Sequence, residues 1–129
     1  MQGEKNKLRI MVVDNEVGVC DIYRNILQKE GFDVETFLDG ESAMERIDHQ
    51  HFDIVITDLK MPKVDGYHVI RKIKEVSPRT EIIVISGYAT LDSVVQTIKM
   101  GVNDYLVKPF EVVDLVAKVK KCVQTRGSC

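Results

Sequence analysis

Five short apolar runs, each followed by hydrophobic residues at helical spacing, restrict the fold of this chain more than any other feature. The runs at 8–13, 52–57 and 81–85 are rich in Val and Ile, and the last has four consecutive aliphatics from Ile82. A strand apolar on both faces is one covered on both faces. The run at 32–37 differs, because Phe32, Val34 and Thr36 alternate with Asp33 and Glu35, which predicts an edge strand with one wetter face. The run at 104–107 is the last and shortest.

The intervals read as helices. Val19, Tyr23, Ile26 and Leu27 recur at helical spacing over 16–30, and Gly31 stands where a left-handed cap residue is wanted. Asp39-Gly40-Glu41-Ser42 offers a turn and cap ahead of Ala43, Met44 and Ile47. Val69, Ile70, Ile73 and Val76 stripe a third helix that Ser77-Pro78 closes. The spacing over 90–100 predicts a fourth helix with Leu91, Val94, Val95 and Ile98 inward, Thr90, Asp92, Gln96 and Lys99 outward, and Gly101 as its stop. Val112, Leu115, Val116, Val119 and Val123 mark the fifth.

Strands alternating with helices imply an α/β fold, a doubly wound parallel sheet with right-handed crossovers covering both faces. A length of 129 residues with 44% hydrophobic content suits one core, so a single domain is expected over 1–129, its core at about 8–124 and frayed ends at 1–7 and 125–129. The net charge of -2 without a basic block argues against direct nucleic-acid binding. No long apolar stretch suggests a membrane anchor. Cys20, Cys122 and Cys129 are an odd number without metal-ligand spacing, so free thiols in a reducing cytoplasm are expected, with Cys20 and Cys122 packed as small hydrophobes and Cys129 in the tail.

In such sheets ligands bind at the carboxyl ends of the strands, beside the point where strand order reverses. Asp14, Asp58, Ser86 and Lys108 all stand at strand ends. An acid or a lysine at a strand end is ordinarily just where the chain meets water, but four such residues converging on one crevice call for a shared role. Two carboxylates brought together repel unless a cation lies between them. Mg²⁺ fits an all-oxygen set, whereas zinc does not, because His49, His51 and His68 fall on or beside helices as surface residues. A carboxylate, a hard cation, a lysine and a hydroxyl are the parts of phosphoryl transfer, and a carboxylate can itself be the nucleophile.

From Ile10 to about Val123 the chain resembles a response-regulator receiver domain of two-component phosphorelay signalling. The resemblance rests on Val12-Val13-Asp14-Asn15-Glu16, on Asp58-Leu59-Lys60-Met61-Pro62 with Asp65-Gly66, on Ser86-Gly87-Tyr88-Ala89 and on Tyr105-Leu106-Val107-Lys108-Pro109-Phe110. It implies a flavodoxin-like sheet with strand order 2-1-3-4-5 and five helices. It further implies that Asp58 accepts a phosphoryl group from a sensor histidine kinase or phosphotransfer protein, that Asp14, Asp58 and the Lys60 carbonyl hold Mg²⁺, and that Lys108 and Ser86 contact the phosphoryl oxygens. Tyr105 would be the aromatic switch, the Lys108–Pro109 bond would be cis, and helix four, strand five and helix five would present the changed face to a downstream protein, an output domain or a second copy of the chain. Such a domain assists only its own phosphorylation and dephosphorylation and is not otherwise an enzyme.

Two other readings stay open: a phosphatase with an aspartyl-phosphate intermediate, which normally carries a second acid where Lys60 stands, and a flavodoxin-like nucleotide binder, whose phosphate loop Asp14-Asn15-Glu16 would repel. Tyr88, Lys60 and Glu16 border the site. Bulky Tyr88 is expected to slow hydrolysis of the acyl phosphate or to meet a partner as an exposed loop aromatic, and Glu16 either reaches the metal through a water or simply favours a helix start.

Asn15 departs from the resemblance, since most receivers have a second aspartate there. An amide oxygen is a weaker ligand than a carboxylate, so Mg²⁺ is expected to bind weakly. Asn15→Asp should tighten it, and an unchanged Mg²⁺ titration followed by NMR or Tyr fluorescence would count against this.

Overall fold

A computed structural model describes residues 7–87 and 89–127. Five strands, β1 (Arg9–Val13), β2 (Asp33–Phe37), β3 (Ile54–Asp58), β4 (Glu81–Ser86) and β5 (Asp104–Val107), alternate with five helices. The helices are α1 (Val17–Lys29), α2 (Gly40–His49), α3 (Gly66–Val76), α4 (Leu91–Lys99) and α5 (Val112–Gly127). The strands form one sheet in the order β2-β1-β3-β4-β5, every pairing parallel, as expected. The order reverses between β1 and β3, which opens the crevice at their carboxyl ends.

Side-chain alternation along the strands divides the core into two layers. Ile10, Val12, Ile54, Ile56, Ile83 and Ile85 pack with Cys20, Tyr23 and Leu27 of α1 and with Leu115, Val119 and Cys122 of α5. Met11, Val13, Val55, Ile82 and Val84 pack on the other face with Ala43 and Ile47 of α2 and Val69, Ile70 and Ile73 of α3. Cys20 and Cys122 are buried free thiols in the first layer, and burial pushes them up to about 11 and about 12 respectively, so both stay protonated at neutral pH. β2 lies at the sheet edge. Its Glu35 holds Arg9 at 3.1 Å and Arg46 at 3.0 Å, charges that make the edge a poor template for another strand.

Helix α4 departs from the expected packing. Leu91, Val95 and Ile98, expected inward, are 81%, 38% and 64% exposed, and only Thr97 of this helix is buried. Thr97 satisfies its own hydroxyl by donating to the Val94 carbonyl at 2.9 Å, so a polar residue can occupy the inward position. Helical spacing shows that one face is apolar but not which way that face points. Val76 and Val112, also expected inward, lie in end turns and are 44% and 40% exposed. α5 continues to Gly127, past the expected end of the core near 124, since extending a formed helix needs no new tertiary contact. Tyr88, Cys129 and most of the amino-terminal tail lie outside the described residues.

The α2 start is a checkable piece of local chemistry. Asp39 Oδ1 accepts from the Ser42 N–H at 2.7 Å and from its hydroxyl at 2.9 Å. These bonds hold the Asp39 carboxyl below its ordinary 3.8. A depressed acid stabilises the fold above its unfolded value, and this contribution is lost as pH falls through the folded value. Asp39→Ala should therefore cost about 1 kcal/mol at neutral pH in urea denaturation, the gap to wild type narrowing under acid.

Candidate functional site

The first three strand ends that matter carry their polar residues into one place. Lys108, just past β5, extends its Nζ to Asp14 Oδ2 at 3.1 Å and to Asp58 Oδ2 at 3.0 Å, so a single ammonium bridges the acids after β1 and at the end of β3. The Asp14 side chain is fully buried, Asp58 is 9% exposed and Lys108 25% exposed. The second oxygen of each acid is held by backbone: Glu16 N–H donates to Asp14 Oδ1 at 3.0 Å and Lys60 N–H to Asp58 Oδ1 at 3.2 Å. Ser86 is buried at the end of β4, and its carbonyl accepts the Lys108 N–H at 2.9 Å, which fastens the lysine's backbone to the neighbouring strand. The Lys108–Pro109 peptide is cis.

The loop after β3 is built to bring α3 against the acid. Leu59 and Met61 turn into the core, Lys63 takes a left-handed conformation at φ 65°, and Gly66 N–H returns to the Leu59 carbonyl at 2.9 Å. Asp65 caps α3, accepting from Tyr67 N–H at 3.0 Å and His68 N–H at 3.3 Å. A Cβ on Gly66 would collide with the Asp58 carbonyl, so glycine is what allows the helix start to sit directly behind the acid.

Not every expected site residue joins the cluster. Asn15 and Glu16 are exposed, and Asn15 lines a separate groove of ≈230 Å³ with Asp39 and Lys63. The Lys60 side chain is exposed, and its backbone N–H donates to Asp58. Tyr105 is half-buried, packs on the α2–α3 side of the sheet and places its hydroxyl 3.3 Å from Ser93 Oγ. Tyr88 falls outside the described residues. Three participants escape a reading of residue types: the amides of Glu16 and Lys60, which any residue could supply, and Ser93. The spacing Thr90-x-x-Ser93 could have revealed the last, since the two side chains form a capping box at the start of α4.

The sequence pattern described as the response regulator receiver domain matches residues 10–120. The transcriptional regulatory protein PrrA of Mycobacterium bovis is 33% identical over 93% of this chain and 52% of its own length. The transcriptional regulatory protein ZraR of Escherichia coli K12 is 30% identical over 92% of this chain and 27% of its own. The chain thus spans between about a quarter and a half of these relatives. A CheY-like response regulator receiver domain protein from Methanospirillum hungatei superposes with a TM-score of 0.90 at 27% identity, covering 96% of this chain and all of that one.

Electrostatically the cluster holds two acids and one base. Burial pushes the Asp14 carboxyl up from its ordinary value, against the lowering effect of the Glu16 N–H and of Lys108. Burial pulls the Lys108 ammonium the other way, but its bonds to Asp58 and Asp14 outweigh that and raise it, so the lysine stays charged. Burial is what raises Asp14, which is fully enclosed, and the two neighbouring carboxylates are what raise Lys108. The fit of α3 behind Asp58 yields a sharp contrast. Gly66→Ala should cost about 2 kcal/mol or more through overpacking against backbone. Gly18→Ala, on the open surface of α1, should gain about 0.5 kcal/mol; chemical denaturation of the two variants measures both.

Proposed function

The chain belongs to the response regulator receiver domain family, and from that premise we propose that Asp58 is the phosphoacceptor for a phosphohistidine on a sensor kinase or phosphotransfer protein. The observation that carries the reading is the Lys108 ammonium held jointly by Asp14 and Asp58 at the switch point of the sheet. An Asp58 carboxylate oxygen attacks phosphorus. The donor's P–N bond breaks with its electron pair going to the imidazole nitrogen, and the new P–O bond leaves an acyl phosphate on the protein. The Lys60 and Glu16 amides keep the two carboxylates oriented beforehand, which is where positioning lowers the barrier. Lys108 is already beside the reacting oxygen, placed to neutralise charge on the incoming group, and Ser86 at the next strand end is placed to donate to it.

The donor set suits a hard divalent cation. Asp14 and Asp58 already share one cation, both are oxygen ligands, and the Lys60 carbonyl follows two residues on. Asp14, Asp58 and the Lys60 carbonyl would hold Mg²⁺, with the Asn15 amide a weak addition, and the metal would supply further charge neutralisation at the phosphoryl oxygens.

Downstream, the signal would leave through α4, β5 and α5, with Tyr105 as the switch between Ser86 and that face. The recipient is an output domain or separate protein, or a second copy of the chain, in the cytoplasm. No helix among the described residues is long and apolar enough to cross a membrane.

Incubation with acetyl phosphate and Mg²⁺ followed by intact-mass measurement is expected to show one added phosphoryl group on the wild type and none on Asp58→Ala. Multiple turnover of small phosphate esters would instead favour a phosphatase, and a copurifying flavin a nucleotide binder.

A further inference from the structure

Thr57 stands immediately before Asp58 in a strand otherwise made of Ile and Val, and it is fully buried. A hydroxyl in an apolar layer is costly unless it is hydrogen-bonded. Thr57 Oγ1 donates to the Asp58 carbonyl oxygen at 2.9 Å.

The topology explains why that carbonyl needs a side-chain donor. Leu59 N–H turns toward β4 and donates to the Ile85 carbonyl at 3.3 Å. The N–H and C=O of a trans peptide point in opposite directions, so the Asp58 carbonyl faces β1. There the ladder has ended: β1 pairs with β3 only from Ile10 opposite Ile54 to Val13 opposite Thr57. Asp14 N–H faces the other way, to the Phe37 carbonyl of β2 at 3.0 Å, and the next amide that alternation would turn toward β3 belongs to Asn15, beyond the end of β1. The Thr57 hydroxyl takes the place of the departed strand, while Gly66 closes on the same carbonyl from α3.

We propose that Thr57 is a positioning residue for the phosphoacceptor: its hydroxyl fixes the Asp58–Leu59 peptide and thereby the line of the Asp58 carboxylate toward Lys108 Nζ at 3.0 Å and Lys60 N–H at 3.2 Å. This rests on the reading of Asp58 as the phosphoacceptor. Thr57 touches neither donor nor phosphoryl oxygens; it acts through the peptide that carries the acid. A carboxylate freed to swing spends less of its time aligned with the incoming phosphorus, and small misplacements of reacting groups cost large factors in rate.

Two substitutions separate hydroxyl from shape. Thr57→Val keeps the branched side chain and loses the donor, whereas Thr57→Ser keeps the donor and loses the methyl. Phosphoryl uptake from acetyl phosphate with Mg²⁺, followed by intact mass, should be about tenfold slower in Thr57→Val and return to near wild type in Thr57→Ser. The Leu59 amide resonance of the unphosphorylated protein should move in Thr57→Val and hold in Thr57→Ser. Uptake by Thr57→Val at the wild-type rate, or Thr57→Ser as slow as Thr57→Val, overturns the proposal. Should Thr57→Val fail to fold, Thr57→Ala replaces it with the same expected and overturning results. If the wild type itself takes up no phosphoryl group, the assignment of Asp58 falls. The amide resonance then still decides whether Thr57 holds this peptide, a shift in Thr57→Val supporting it and no shift refuting it.

Discussion

Two enclosed carboxylates sharing one ammonium are the interaction around which this structure is arranged. An unpaired buried charge is far more costly than an exposed one, and Asp14 is fully enclosed. The cluster is tolerable only because each acid has its second oxygen on a backbone amide and because Lys108 arrives from the far side of the sheet. That arrival depends on β3 and β4 lying between β1 and β5, on the Lys108 amide fastened to Ser86, and on a glycine that lets α3 approach Asp58. Secondary structure, topology and loop chemistry therefore answer to one local demand for charge balance.

The same balance supports the direction of the proposed chemistry. With two acids to one base, the crevice has room for more positive charge and none for more negative. On the proposed reading a phosphoryl group would bring negative charge, which Lys108 beside Asp58 stands to neutralise in part and a divalent cation would offset further. The sheet supplies the rigidity that makes such a redistribution informative. Strands whose residues are almost wholly buried cannot absorb a new charge by yielding, so the adjustment passes to loops and to the helix least tied down.

Much of this was legible from residue order. The parallel sheet followed from continuous apolar strands and the edge position of β2 from its alternation, and the meeting of Asp14, Asp58 and Lys108 from their places at strand ends. Periodicity failed at α4 for a physical reason. Leu91, Val95 and Ile98 share a face, and the arithmetic of a helix is the same whether that face meets a core or the solvent. Thr57 was hidden for the converse reason: a threonine in a β-branched run reads as strand propensity, and only the backbone path shows that its hydroxyl replaces a missing ladder donor. The amides of Glu16 and Lys60 carry no sequence signal at all, because their role belongs to chain geometry.

The misread helix bears on the proposed signalling route more than the correctly read strands do. A nine-residue helix that buries only Thr97 is held by little, and its first turn depends on the box between Thr90 and Ser93. Ser93 also meets the Tyr105 hydroxyl at 3.3 Å, so the aromatic and the helix cap share one polar group. The Ser93 hydroxyl has a single hydrogen, and while that is directed to the Thr90 carbonyl at 3.0 Å, it is the tyrosine that must donate. Withdrawal of Tyr105 would thus remove a donor from the start of a weakly anchored helix that exposes Leu91, Val95 and Ile98 beside its polar residues. With Tyr105 as the proposed switch, a small electrostatic change at Asp58 would need only to bias that rotamer to alter the surface carrying Leu91, Val95 and Ile98. The free energy required is set by α4's sparse anchoring and not by the much larger stability of the sheet.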